Sequence, residues 1–353
     1  MNFGSDNMAP AAPEILAALA ATNEDGMAAA YGNDEATGRL NEAFSALFET
    51  KVQVFPVITG GAANSISLAA VTRPWSAVYC HAESHVNTDE CGSPEFFSDG
   101  AKLIPLPGDG TKIAPETLAE ALKTAWIGSV HAVQPAALTL TQQSECGTVY
   151  TADEVGALTK IARDYKLAVH MDGARFANAV AHLGCAPADI TWRAGVDLLS
   201  FGATKNGALG AEAIIAFRDD LSQEIEFRRK RAGHLLSKLR YVSAQLEAYI
   251  TDGLWLRLAT HANAMATRLS DGLAALPGIE RPWPTQGNEV FVTLPEDLIQ
   301  ALLAEGAVFY RWGDRNASRT VRMVCGWHIS EAEVDTLVNA AARHLEAPAR
   351  KRA

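Results

Sequence analysis

The sequence has no run of apolar residues approaching the ~20 needed to cross a bilayer as a helix. CxxC pairs are also missing. The five cysteines, Cys80, Cys91, Cys146, Cys185 and Cys325, are scattered and odd in number. That argues against a disulfide framework or a cysteine-based zinc site and fits a reducing cytoplasm. Positive charge is scarce: 30 Lys and Arg against 41 Asp and Glu leave a net charge of −11. Without a basic footprint to neutralise phosphates, nucleic acid is excluded as the primary partner. The opening MNFGSDNMAPAAPE holds no basic stretch leading into an apolar one, so it does not read as a signal peptide. There is no internal repeat, and only the basic end, Arg350–Lys351–Arg352, reads as a solvated tail. What remains is the composition of a soluble enzyme of about two domains: 353 residues, 48% hydrophobic and 20% charged.

Pro13 announces a first helix, followed by apolar Ile15, Leu16 and Leu19. A second helix carries Leu40, Phe44, Leu47 and Phe48 at helical spacing. From there to about residue 220, strands and helices alternate. Strands are expected at Val52–Ile58, Ala77–Cys80, Val130–Val133, Leu138–Leu140, Leu167–Met171 and Val196–Ser200. The stretch from Ala62 to Val71 reads as helix, and Thr151-x-x-Glu154 is a capping box opening another. Such alternation means βαβ crossovers and an α/β domain with a mainly parallel sheet covered on both faces. A long basic helix is expected from Gln223 to Ile250. Past the Pro-rich segment Pro277 to Pro284, the pattern reads as the remainder of a smaller α+β domain. The expected division is an N-terminal segment (1–35), a large domain (36–251), a small domain (252–346) and a tail (347–353).

In parallel sheets ligands sit at the carboxyl ends of the strands, so residues just past each strand carry the chemistry. Three such places stand out. After the first strand comes Thr59-Gly60-Gly61-Ala62-Ala63-Asn64, where small residues at a helix start let backbone N–H groups close on an anion. It is neither a Walker A loop nor a GxGxxG turn. Asp172 follows an apolar strand, where a carboxylate needs a cation or a hydrogen-bond partner. An ion pair with Arg175 or a helix cap would be the structural alternative. Lys205, in Phe201-Gly202-Ala203-Thr204-Lys205-Asn206-Gly207, follows another buried strand, and partial desolvation favours a nucleophilic amine. Anion cradle, strand-end Asp and strand-end Lys together suit pyridoxal phosphate. The lysine would hold its aldehyde as a Schiff base, the Asp would keep the pyridine nitrogen protonated, and the glycine turn would hold the phosphate. His81-x-x-x-His85 lacks a third ligand and the HExxH order, so no metal is expected. His170, inside a strand, reads as a packed, hydrogen-bonded residue.

HMDGARFANAV around Asp172 and LLSFGATKNGALGAEA around Lys205 resemble the low-specificity L-threonine aldolases, enzymes of the aspartate-aminotransferase (type I) pyridoxal-phosphate class. NFGSDN, AYGNDE, TGGAAN and VRMVCGWHIS follow in the family's order. HVNTDECGSPEFF and LTQQSECGTVY look closest to the bacterial subgroup that includes phenylserine aldolases. The resemblance implies that Lys205 binds the cofactor, Asp172 pairs with its ring nitrogen, and Gly60, Gly61 and Thr204 serve the phosphate. It implies that His85 stacks on the ring and that Ser5, Arg175 and Arg322 grip the substrate carboxylate. Tyr31 and Lys230 would enter a neighbouring subunit's site, in a homodimer or homotetramer. Gln142 stands where many members carry histidine and cannot serve as a base at neutral pH.

The reaction implied is cleavage of a β-hydroxy-α-amino acid to glycine and an aldehyde, with His85, or a water it holds, as the base. β-Elimination and transamination are the alternatives within the same cofactor cage. A catalytically silent homologue is opposed by the retention of both Lys205 and Asp172.

Overall fold

The computed structural model describes residues 1–314 and 317–351; Arg352 of the expected tail lies outside the described residues. The strands of the large sheet are β1 (Gln53–Val57), β2 (Ser76–His81), β3 (Lys102–Leu106), β4 (Gln134–Thr141), β5 (Ala168–Gly173), β6 (Leu198–Gly202) and β7 (Glu212–Ala216). They lie in the order β1-β7-β6-β5-β4-β2-β3. β7 is antiparallel to both β1 and β6, while the remaining pairs are parallel. The start of β7 therefore reaches the edge where β1 and β6 end, and Glu212 pairs with Val57 and with Gly202.

The helices are α1 (Pro13–Glu24), α2 (Glu35–Phe48), α3 (Gly60–Ala70), α4 (His85–Thr88), α5 (Ser93–Phe97), α6 (Pro115–Lys123), α7 (Ala152–Asp164) and α8 (Phe176–Leu183). Then come α9 (Ser222–Arg231), α10 (Arg240–Ile250), α11 (Leu254–Ala274), α12 (Glu296–Ala304) and α13 (Glu331–Lys351). Both halves of the Thr151–Glu154 capping box form at the start of α7. One face of the sheet packs Val57, Leu198 and Ile214 against Ala63 and Ile66 of α3. The other buries Val54, Met171, Phe201 and Ile215 with Phe44, Phe48, Phe176 and Trp255, an aromatic layer supplied by α2, α8 and α11. Phe44 and Phe201 meet edge to face at 5.2 Å, the arrangement that ring quadrupoles favour.

The small antiparallel sheet runs β8 (Glu289–Thr293), β10 (Thr320–Val324), β9 (Tyr310–Arg311). Phe3 is fully buried with its core, and its backbone bonds Val308 and Val324. The N-terminal segment is thereby tied to the small sheet.

Four expectations change. Val130–Val133 is no strand: Val130 is exposed, and the strand starts at Gln134 and runs through Leu138–Leu140. The helix expected from Gln223 to Ile250 is broken at Gly233 (φ +78°), a left-handed conformation that no continuing helix allows. α3 begins at Gly60, two residues before the expected start. β3 and β7 are additional strands, and β3 hides because only Leu103 and Leu106 of its five residues are buried.

Candidate active site

The site forms along the carboxyl edge of the large sheet. β1 turns into α3 at Thr59, whose Oγ1 accepts the Ala62 N–H at 3.3 Å. No heavy atom lies within 4 Å of where a Cβ would stand on Gly60, so α3 borders open space at its first residue, where a helix's leading N–H groups are available to an anion. A cavity of about 410 Å³ opens here, bounded by Thr59, Gly61, Ser65, His85, Glu90 and His234.

Asp172, 4% exposed, ends β5. Its Oδ1 accepts the Ala174 N–H at 3.0 Å and its Oδ2 accepts Asn64 Nδ2 at 2.8 Å. The ion pair with Arg175 weighed from the sequence does not form; Arg175 turns to other carboxylates. Asn64 Nδ2 also donates to Glu90 Oε1 at 2.8 Å, and the same Glu90 oxygen receives His85 Nδ1 at 2.8 Å. A continuous polar chain thus joins Asp172, Asn64, Glu90 and His85. The close Glu90 carboxylate favours the tautomer with the proton on Nδ1, which leaves Nε2, 3.7 Å from the exposed Asp89 carboxylate, as the acceptor. The bond to Glu90 raises the His85 pKa above its ordinary value, against the opposing effect of burial. The His85 backbone N–H donates to Glu145 Oε1 at 2.9 Å, and burial pushes the Glu145 carboxyl up to about 7.

Lys205 is half-buried on the short turn after β6. Glycine is required on both sides of it. A Cβ on Gly202 would stand 2.6 Å from the Ala174 carbonyl oxygen, and Gly207 has φ +107° with Leu258 2.8 Å from a would-be Cβ. Any side chain there would push the lysine turn away from β5. Behind this turn lies Glu212, which accepts the Thr204 N–H at 3.4 Å and which burial raises to about 7. The Thr204 hydroxyl bonds the backbone of Ala211, locking the turn onto β7.

Four charged residues, Asp6, Arg175, Glu289 and Arg322, form a cluster beside the site. Arg175 Nε and Nη2 donate to the two oxygens of Asp6 at 2.7 and 2.9 Å, and its Nη1 lies 3.4 Å from Glu289. Burial opposes ionisation of Asp6, but the Arg175 charge and hydrogen bonds overcome it and hold the carboxyl at about 2. Arg322 Nη1 lies 3.7 Å from Glu289, while its Nε is buried with no acceptor. Arg175 thus has its fork filled, whereas Arg322 has no two-point carboxylate partner. Arg322→Lys is expected to raise KM at least about tenfold with a smaller change in kcat, because lysine keeps the charge and loses the planar two-point grip. Steady-state kinetics on a β-hydroxy amino acid check this.

The remaining sequence-derived residues divide. Ser5 caps the turn at Asp6–Met8, its Oγ accepting the Asn7 N–H at 3.1 Å, which fixes it beside Asp6. Gln142 is fully buried, with Nε2 on the Tyr150 carbonyl at 2.8 Å and Oε1 on the Tyr150 N–H at 3.0 Å. Both ends of its amide are engaged by Tyr150, so it braces the 142–150 loop. Tyr31 and Lys230 meet each other, with Nζ 4.6 Å from the ring centroid, at a half-exposed surface. His170 is fully buried between Thr139 Oγ1 (2.8 Å) and Ser200 Oγ (2.9 Å), the packed role read from the sequence. His81 bonds the Gly108 carbonyl at 3.1 Å and the Glu83 N–H, away from His85.

Sequence reading passed over Asp6, Glu90, Glu145, Glu212 and Glu289. A usable signal was there: four of them sit inside or directly beside the quoted motifs, next to glycine or small residues. Glu289 opens a strand whose next three residues, Val290, Phe291 and Val292, are apolar. His85, Glu90 and Asp172 bring potential ligand atoms within 4.8 Å of one another, a grouping that could hold a cation. That use would consume the Asp172 carboxylate which a protonated ring nitrogen needs.

The donor set fits pyridoxal phosphate. It combines an open helix N-terminus, an amine on the turn after β6, a fixed carboxylate on the neighbouring strand β5 and an imidazole joined to that carboxylate through Glu90 and Asn64. The fold and this site define a type I pyridoxal-phosphate enzyme. A family model described as Beta-eliminating lyase matches residues 2–296. The low specificity L-threonine aldolase of Pseudomonas sp. (strain NCIMB 10558) is 42% identical over 336 residues, 95% of each chain. That of Pseudomonas aeruginosa is 43% identical over 327 residues, 92% of each. The threonine aldolase of Leishmania major superposes with a TM-score of 0.90 at 28% identity, covering 98% of this chain and 99% of that one. The chain belongs to the low-specificity L-threonine aldolase family. Among the described residues, no helix is long and apolar enough to cross a membrane.

Proposed function

We propose that the protein cleaves L-threonine, L-allo-threonine or a related β-hydroxy-α-amino acid such as phenylserine to glycine and an aldehyde. The observation that carries this reading is the pairing of the Lys205 turn with the Asp172–Asn64–Glu90–His85 chain at one sheet edge. Bound pyridoxal phosphate supplies an electron sink for the pair released when Cα–Cβ breaks. Lys205 anchors it through a primary amine, and Asp172 keeps a proton on its ring nitrogen. Arg322 would hold the substrate carboxylate and so fix which bond at Cα is presented for cleavage. His85 takes the β-hydroxyl proton on Nε2 while Glu90 holds Nδ1. Incubating the holoenzyme with a panel of β-hydroxy amino acids tests the reading: glycine and aldehyde in equal amounts support it. Keto acid and ammonia would mean β-elimination instead, the reaction in the matched family model's description.

Glu90 should set the acid limb of the pH profile. A neutral His85 is the active base, so kcat/KM falls as pH drops through its pKa. Since Glu90 raises that pKa, Glu90→Gln is expected to move the acid limb to lower pH, toward the ordinary histidine value. An acid limb that stays in place would sever the dyad from the chemistry.

The assembly is read as a homodimer or homotetramer in which Tyr31 and Lys230 reach a neighbouring copy's site. Their exposed pairing supports it, as does Phe227, 70% exposed on the same helix as Lys230. Sedimentation velocity gives the oligomeric state. The unpaired cysteines support a cytoplasmic, reducing location.

A further inference from the structure

We propose that Glu289 is a positioning residue that aims Arg322 at the substrate carboxylate. This rests on the aldolase reading and on Arg322 as the clamp.

Glu289 is 1% exposed at the first residue of β8, in register opposite Val324 of β10. Its Oε2 is fixed by Gln143 Nε2 at 2.9 Å and lies 3.4 Å from Arg175 Nη1. Its Oε1 lies 3.7 Å from Arg322 Nη1. One carboxylate therefore stands between two guanidinium groups, on a strand of the small sheet and against a residue from the loop after β4. The two arginines are not equivalent. Asp6 takes Nε and Nη2 of Arg175 together, so that guanidinium is already neutralised in a two-point pair. Arg322 has no such partner. Its Nε is buried without an acceptor, and the Trp312 ring lies 5.9 Å from its guanidinium carbon.

The Arg322 contact at 3.7 Å is too long for a hydrogen bond but close enough for strong attraction in a water-poor site. Glu289 thus orients Arg322 through Nη1 without occupying the Nε edge. Because Gln143 holds the Glu289 carboxylate, it cannot swing round to fill that edge itself. An unsatisfied buried N–H is costly, and since Nε is closed off, an incoming carboxylate meets the partly exposed Nη end of the guanidinium that Glu289 orients. Glu289 also places one negative charge between the two guanidinium groups.

The experiment compares wild type with Glu289→Gln and Glu289→Asp as holoenzymes. It measures kcat and KM for cleavage, and binding of glycine and of glycinamide, which lacks the carboxylate. Glu289→Gln is expected to raise KM and the glycine Kd at least about tenfold, with kcat within a few-fold of wild type and glycinamide affinity unchanged. Glu289→Asp, which keeps the charge, should recover part of the loss. Equal weakening of glycine and glycinamide would reduce Glu289 to a structural support and overturn the inference. Tighter glycine binding would overturn it too, by making Glu289 a competitor of the substrate. Arg322→Lys separates the two levels. A normal KM in Arg322→Lys removes the clamp itself. A raised KM there with a wild-type Glu289→Gln removes only the role given to Glu289. If Glu289→Gln fails to fold, the Glu289→Asp ratio of glycine to glycinamide affinity decides: unchanged from wild type, it rejects the proposal.

Discussion

Lys205→Ala is expected to remove nearly all turnover, on the order of the 10⁴–10⁶-fold seen when a covalent nucleophile is deleted, while the fold survives. The lysine is half-buried on a turn whose shape is set by Gly202, Gly207 and the Thr204–Ala211 bonds, none of which needs the amine. Loss of Nζ leaves Asp172, Glu212 and the helix start in place. The cofactor should then bind more weakly, held by phosphate and ring contacts alone. Borohydride reduction of the wild-type holoenzyme should attach the cofactor to Lys205, read by peptide mass mapping. Attachment to another lysine, or substantial activity in Lys205→Ala with an unchanged absorbance spectrum, would remove Lys205 from the chemistry.

His85→Phe is expected to lower kcat by roughly the 10²–10⁴-fold typical of losing a general base, with cofactor affinity close to wild type. Phenylalanine keeps a flat ring where the imidazole stands but offers no acceptor. Glu90 Oε1 would keep Asn64 as its donor, so the polar chain to Asp172 stays joined at one end. The acid limb of kcat/KM should disappear along with the residue that titrates. If stacking were the whole contribution of His85, His85→Phe would retain most of the rate and the acid limb would persist. Rates for threonine, allo-threonine and phenylserine distinguish the two outcomes, since a lost base slows all three.

Much of this enzyme is local in the chain. A Gly-Gly pair after a β-rich run, Asp172 at the end of an apolar strand, and a lysine flanked by glycines are each decided within about ten residues. Their positions at strand ends follow from hydrophobic patterning alone. The failures were local too. Val130 and Val133 look like a strand because β-branched residues favour one, but the chain there stays on the surface and the strand starts at Gln134. Gly233 inside a long basic pattern was the readable sign of a break in the helix expected between 223 and 250.

What the sequence by itself determined is which groups arrive at the sheet edge: the Lys205 amine, the Asp172 carboxylate, the His85 imidazole and the Gly60–Gly61 turn. Patterning places each of them just past a strand, and a parallel sheet collects strand ends on one side. Only the tertiary structure decided how they are paired. Asp6 and Arg175 are 169 positions apart, Asn288 and Asp6 are 282 apart, and Arg322 and Arg175 share Glu289 across two sheets. The same applies to Gln142, whose identity suggests a ligand contact and whose amide is spent on Tyr150. Charge partners are chosen by desolvation and distance in the packed molecule, and neither quantity exists until distant segments meet.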